Sequence, residues 1–94
     1  MRDLFIKKLC ESSKKNKKLF LMVGDLGFSV IEKFQKLFPN KFVNAGVSEQ
    51  NMMGMAAGMA SEGVHVFVYS IANFPTFRCA EQIRNDIDYH NFPV

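Results

Sequence analysis

A carboxyl group does proton chemistry at neutral pH only where its surroundings move its pKa upward. In this 94-residue sequence, Glu49 is the acidic residue with such a setting. It follows Val43-Asn44-Ala45-Gly46-Val47-Ser48 and precedes the run NMMGMAAGMA, with no charged residue between Glu49 and Glu62. The spacing places it in the first turn of an apolar helix, at the carboxyl end of a parallel strand, where open α/β sheets bind their ligands. A glutamate there can equally do no more than complement the helix dipole, and spacing alone leaves both roles open. Cys10 and Cys79 form no C-x-x-C pair and read as reduced small hydrophobes. The lysines of KKNKK carry much of a net charge of only +3 and have no interleaved aromatic residues for stacking on bases. They read as a solvated connection, and no nucleic-acid partner is expected.

The elements that must position Glu49 alternate along the chain. Residues 2–14 place Leu4, Phe5, Leu9 and Ser13 near helical spacing, with lysines opposite. LFLMV at 19–23 is a strand covered on both faces. Ser29 and Glu32 form a capping box ahead of a helix through Val30, Ile31, Phe34, Leu37 and Phe38. A short strand spans Lys41–Ala45, and Ser48 can cap the apolar helix, which ends at Gly63. VHVFVYS at 64–70 is a third strand. A fourth helix starts at Pro75-Thr76 with Phe77, Ala80, Ile83 and Ile87 as its apolar face, and Asn91–Val94 resembles the approach to a further strand. This order implies an α/β fold with a parallel sheet and right-handed crossovers. A helix that is apolar all round must be buried on every side, and Gly54 and Gly58 offer a groove for another helix. With ten Phe and six Met in so short a chain, part of the apolar surface is expected to pack against another subunit. No run approaches the ~20 apolar residues of a membrane span, and the charged N-terminus MRDLFIKKLC is not a signal peptide. The expected location is cytoplasmic, with no membrane partner.

The segment NAGVSEQNMMGMAAGMASEG resembles the glutamate-bearing segment of the pyrimidine-binding domain in transketolases and related thiamine-diphosphate enzymes. There a strand leads through Gly-Val-x-Glu-Gln/His-Asn into a helix rich in Gly, Ala and Met. VFVYSIANFPTFRCAEQIRND is similar to the following strand, aromatic-bearing loop and helix, and MVGDLG to the turn after the first strand. The resemblance implies a three-layer αβα fold with a mostly parallel sheet: the pyrimidine-binding half of the thiamine-diphosphate-binding fold, with residues 1–94 as a single partial domain.

It also implies roles. The family glutamate hydrogen-bonds the aminopyrimidine ring nitrogen, so that the cofactor can lose its C2 proton and attack a ketose carbonyl; Glu49 aligns with it. A carboxyl buried beside an apolar helix is suited to hold a proton for that purpose. Phe74 matches the aromatic residue that stacks on the pyrimidine, with Phe77 as the alternative and core packing as the plainer fate of either. Asp25 matches a carboxylate near the cofactor, or is a simple turn residue. Arg78 can face a sugar phosphate at the mouth of the cleft, or be a surface arginine.

Departures from the family pattern carry information too. The Gly-Asp-Gly motif that holds the diphosphate and Mg²⁺ is not in these residues: Gly24-Asp25 is followed by Leu26, and G-x-G-x-x-G and G-x-x-x-x-G-K-[ST] are also missing. Thiamine diphosphate is therefore expected to have its diphosphate held by a diphosphate-binding domain or N-terminal transketolase subunit, with Mg²⁺ bound through that partner and not by this chain. That makes the chain a C-terminal-section subunit or a fragment, inactive alone and part of a homo- or hetero-oligomer. The expected reaction is transfer of a two-carbon ketol unit between sugar phosphates. The alternatives are 1-deoxyxylulose-5-phosphate synthesis, the β chain of a 2-oxo acid dehydrogenase, or a non-catalytic interaction module; the missing glycine motifs argue against a nucleotide-binding domain.

Overall fold

The computed structural model describes residues 1–94, in which helix and strand alternate. The order is α1 (Arg2–Lys15), β1 (Leu19–Val23), α2 (Glu32–Leu37), β2 (Phe42–Asn44), α3 (Glu49–Ser61) and β3 (His65–Tyr69). A last helical segment opens as a 3₁₀ turn at Phe77–Cys79, passes through α4 (Ala80–Gln82) and ends as a π-helix over Ile83–Asp88. The strands are all parallel, in the order β2-β1-β3. Val23 pairs with Asn44 on one side and Tyr69 on the other, so the three strands end at one level and their loops share one rim.

β1 is apolar throughout because it is covered on both faces. Leu19, Leu21 and Val23 pack with Ile6, Leu9 and Cys10 of α1 and with Val30, Ile31 and Phe34 at α2. Met22 points the other way, with Val66, onto Met52 and Ala56 of α3. Met53 and Ala57 then meet Cys79 and Ile87 of the last helical segment. The result is the expected three-layer αβα arrangement: α1 and α2 on one face of the sheet, α3 and α4 on the other.

Local chemistry fixes the ends of the elements. Lys41 Nζ donates to the Ser13 carbonyl (2.9 Å), the Ser13 hydroxyl (3.2 Å) and the Asn16 carbonyl (3.0 Å), satisfying acceptors at the end of α1. Gly63, at φ +87°, terminates α3 in the left-handed conformation that favours glycine. Val66 donates to the Pro93 carbonyl (3.0 Å), so the last residues lie on the outer edge of β3, as a strand approach should.

Four local expectations need correction. In α1, Ile6 and Cys10 are buried with Leu9 and Ser13, while Leu4 faces solvent. The capping box is half formed: Glu32 accepts the Ser29 N–H (2.8 Å), but Ser29 has φ 65° and its side chain caps nothing, so α2 starts at Glu32. Ser48 does not cap α3, because its hydroxyl turns back to the Ala45 carbonyl (3.4 Å). Along the last helical segment, Phe77 and Ala80 are exposed and Cys79 and Ile87 are buried. The tight 3₁₀ entry and wide π exit rotate the inward face away from the α-helical spacing.

Candidate cofactor site

Three loops meet at the carboxyl rim of the sheet. Gly24 donates to the Tyr69 carbonyl (3.1 Å) and Ala45 to the Val23 carbonyl (2.8 Å), extending the strand pairing beyond β1 and β2. Asn44 then joins the β1 and β2 loops. Its Oδ1 accepts from the Asp25 N–H (3.0 Å) and the Gly46 N–H (3.0 Å), and its Nδ2 donates to Asp25 Oδ1 (2.9 Å). The loop that launches α3 is thereby tied to the turn after β1.

That loop delivers Glu49 to the first turn of α3, where it is only 3% exposed. Its Oε2 lies 3.4 Å from Arg78 Nη1. Its Oε1 is buried and has no hydrogen-bond partner. A buried carboxylate oxygen without a donor costs about 1–3 kcal/mol or more, and such a group calls for a reason in function.

Arg78 lies at the mouth, its side chain 51% exposed, with Cζ 4.2 Å from the centroid of the Phe74 ring. Its backbone is held independently: the Arg78 N–H donates to the Asn73 carbonyl (3.2 Å), and Gln50 Nε2 donates to the Arg78 carbonyl (3.0 Å). Cys79 Sγ donates to the Phe74 carbonyl (3.2 Å), and the Thr76 hydroxyl bonds the Ala72 carbonyl. Burial pushes the Cys79 thiol pKa up, the Glu49 carboxylate raises it further, and the Arg78 guanidinium opposes both.

The residues singled out in the sequence therefore occupy distinct places. Glu49, Arg78 and Phe74 form one group. Asp25 is on the same rim, exposed, with its carboxylate engaged by Asn44. Phe77 projects outward, 81% exposed. The sequence reading missed Asn44 and Gln50. The signal for Asn44 was its position between a strand and a Gly-containing turn, where an Asn side chain can bond neighbouring backbone. Gln50 makes a long-range bond that spacing cannot reveal. The Ser70 hydroxyl, at the end of β3, is also buried without a partner.

A cavity of about 590 Å³ lies elsewhere, along the outer edge of β3 among Met53, Val66, Val68, Ile83 and Ile87. It is lined mainly by apolar side chains, whereas Ser48, Glu49, Gln50, Asn51 and Arg78 surround a polar pocket that holds the buried carboxylate. The first has His65 among its lining residues; the second brings a buried carboxylate and a guanidinium together, which makes it the chemically competent one. No three His, Cys, Asp or Glu side chains come together as a metal-ligand set, and no helix is long and apolar enough to cross a membrane.

Comparisons with known proteins agree with this architecture. A Methanocaldococcus jannaschii protein that carries the name of a transketolase C-terminal section is 44% identical over 95 residues, covering 100% of this chain and 30% of that protein. A Bacillus cereus 1-deoxy-D-xylulose-5-phosphate synthase is 43% identical over 68 residues, covering 70% of this chain and 10% of that protein. Among solved structures, a split-gene transketolase described as an inactive β4 tetramer superposes with a TM-score of 0.89 at 38% identity, covering 99% of this chain and 31% of that one. This chain thus spans about 30% of the length of its full-coverage relatives. The family of transketolase pyrimidine-binding domains matches residues 1–94, and the chain belongs to that family, whose enzymes depend on thiamine diphosphate.

Proposed function

We propose that this chain is the pyrimidine-binding part of a transketolase-like enzyme that moves a two-carbon ketol unit between sugar phosphates. In this reading, residues 1–94 act as one partial domain beside a partner that holds the diphosphate and Mg²⁺. The observation that carries the proposal is Glu49 Oε1: a carboxylate oxygen buried at the rim of a parallel sheet, with no partner in the chain. The residues fit the cofactor's ring, since the free carboxyl oxygen, when protonated, can donate to a ring nitrogen and Phe74 offers an aromatic face beside it. When bound, thiamine diphosphate supplies the carbanion chemistry of ketol transfer.

The chain's own residues do the rest. Glu49 gives a proton to the ring nitrogen and takes it back, from a position fixed by the start of α3. Phe74 orients the ring by stacking, with Phe77 as the alternative. Asn44 and Asp25 lock the neighbouring loops. Arg78, at the mouth, offers a positive charge to a substrate phosphate. Coverage favours transketolase over 1-deoxyxylulose-5-phosphate synthase, because the former matches the whole chain and the latter 70% of it.

The open side of α3 supports an oligomer. Asn51, Gly54, Met55 and Gly58 are exposed along one stripe, and a Cβ added at Gly54 or Gly58 would meet nothing within 4 Å. In the proposed assembly a second copy of the chain lays a helix on this stripe.

The test of the catalytic reading is Glu49→Gln in the enzyme reconstituted with its diphosphate-binding partner. Glutamine keeps the size and hydrogen-bonding capacity but cannot exchange a proton with the ring. Hydrogen–deuterium exchange at the cofactor C2 should slow by about 10²–10⁴-fold, while the control Glu62→Gln, at the exposed end of the helix, exchanges at the parent rate. Parent-rate exchange in Glu49→Gln with cofactor bound would reduce Glu49 to a helix-start carboxylate.

A further inference from the structure

What joins Glu49 to Phe74 is the side chain of Arg78. One guanidinium serves both: it lies 4.2 Å over the Phe74 ring and presents Nη1 3.4 Å from Glu49 Oε2. A guanidinium is a planar cation whose in-plane N–H groups bind carboxylates and whose faces stack on aromatic rings. An aminopyrimidine is a chemical analogue: a planar amidine that stacks through its face and, when protonated, donates an in-plane ring N–H.

We propose that Arg78 is a positioning residue that holds the place of the pyrimidine, its guanidinium competing with the cofactor's ring for Glu49 and Phe74. This rests on the reading above, in which the ring uses the same carboxylate and the same aromatic face. Two planar groups cannot lie on that face together, so Arg78 must swing toward solvent as the ring enters.

The geometry suits a displaceable occupant. A separation of 3.4 Å is at the long end for a charge-assisted contact, and the side chain is half exposed, so solvent screens the pair. The backbone of Arg78 is held by Gln50 and Asn73, so the turn can stay fixed while the guanidinium moves. Arg78 also reaches only Oε2, leaving Oε1 free. Competition of this kind lowers the apparent affinity for the ring by the fraction of chains in which Arg78 is in place.

The experiment titrates the 94-residue chain with 4-amino-2-methylpyrimidine and follows the Phe74 ring and the Arg78 side chain by NMR. In the parent, the Arg78 side-chain protons should carry an upfield ring-current shift that disappears at saturating pyrimidine. Arg78→Met should bind the pyrimidine roughly three- to tenfold more tightly, with Arg78→Lys, which keeps the charge but not the plane, in between. Equal or weaker binding by Arg78→Met overturns the proposal, as does an Arg78 ring-current shift that survives saturation. Glu49→Gln and Phe74→Ala separate the two ideas. If they bind like the parent, or if no variant binds at all, the pyrimidine site itself is misplaced and this inference falls with it. If they lose binding while Arg78→Met gains none, only the role of Arg78 is wrong.

Discussion

The two faces of the sheet are built from different materials. On the α1/α2 face, large side chains such as Phe34, Leu21 and Leu9 close a core of nine buried residues, with lysines toward solvent. On the α3/α4 face, the packing residues are Ala56, Ala57, Ala60 and methionines, and α3 keeps an open stripe at Gly54 and Gly58. The first face resembles a finished interior. The second trades side-chain volume for close approach, and it carries the buried carboxylate with an unpartnered oxygen. The larger buried cluster lies on one side of β1 and the unpartnered carboxylate on the other.

The strongest way to break this contrast is to truncate the closed face. Phe34 is fully buried and packs against Phe38 with ring centroids 5.1 Å apart. Phe34→Ala should cost about 3–5 kcal/mol, a large share of what a small domain possesses. Urea denaturation would measure it. A cost under 1 kcal/mol would mean that this face is not the principal core.

The open face should respond in the opposite sense. Gly58→Leu adds a side chain where nothing lies within 4 Å, at a helix-interior site where glycine costs about 1 kcal/mol relative to good helix formers. The free chain should therefore lose no stability and can gain a few tenths of a kcal/mol or more. Its self-association should weaken at least tenfold, the effect of about 1.4 kcal/mol at an interface. Sedimentation of both proteins at micromolar concentration decides it: a parent chain that is a stable monomer would remove the interface role assigned to α3.

A third prediction concerns the rim that joins the two faces. Asn44→Ala removes two hydrogen bonds between the β1 and β2 loops and one within the β2 loop, and leaves the Asp25 and Gly46 N–H groups to water. With the site solvent-exposed, the expected loss is about 1–2 kcal/mol, with amide exchange accelerated at Asp25 and Gly46 and unchanged in α1. Faster exchange throughout the chain would show that Asn44 supports the fold globally and not the rim alone.

The contrast between the faces also explains what could be read without a structure. The layers and the parallel sheet follow from period and burial: LFLMV can only be a covered strand, and an apolar helix beside it can only lie on the sheet. Glu49 was legible because a lone acid before an apolar helix is conspicuous. The rim was less legible, because its contacts are long-range. Arg78 meets Glu49 across 29 positions and Asn44 meets Asp25 across 19. The caps failed for a local reason: Ser29 takes a left-handed φ inside the turn closed by the Val30 N–H on the Gly27 carbonyl, and the Ser48 hydroxyl is taken by Ala45. The last helical segment failed because 3₁₀ and π turns carry no periodicity that an α-helical template detects.

The smallest predicted effect reports most directly on the charge arrangement of the site. Cys79 is buried beside Glu49 and Arg78, and burial holds its pKa above the ordinary thiol value of 9.0, with Glu49 adding to the rise and Arg78 opposing it. The thiol thus stays protonated to higher pH in the folded chain than in the unfolded one. The resulting contribution to stability is fully present below the unfolded pKa and is lost as pH climbs from there through the folded value. The two neighbours should act with opposite signs: Glu49→Gln removes a negative charge and should let Cys79 titrate lower than in the parent, whereas Arg78→Met should push it higher. The Cys79 ¹³Cβ chemical shift, followed from pH 7 to the onset of alkaline unfolding, separates it from Cys10, whose thiol is also raised by burial. If Glu49→Gln leaves the Cys79 titration where it was, the carboxylate does not sit beside the thiol, and the grouping of Glu49, Arg78 and Phe74 on the α3 face comes apart.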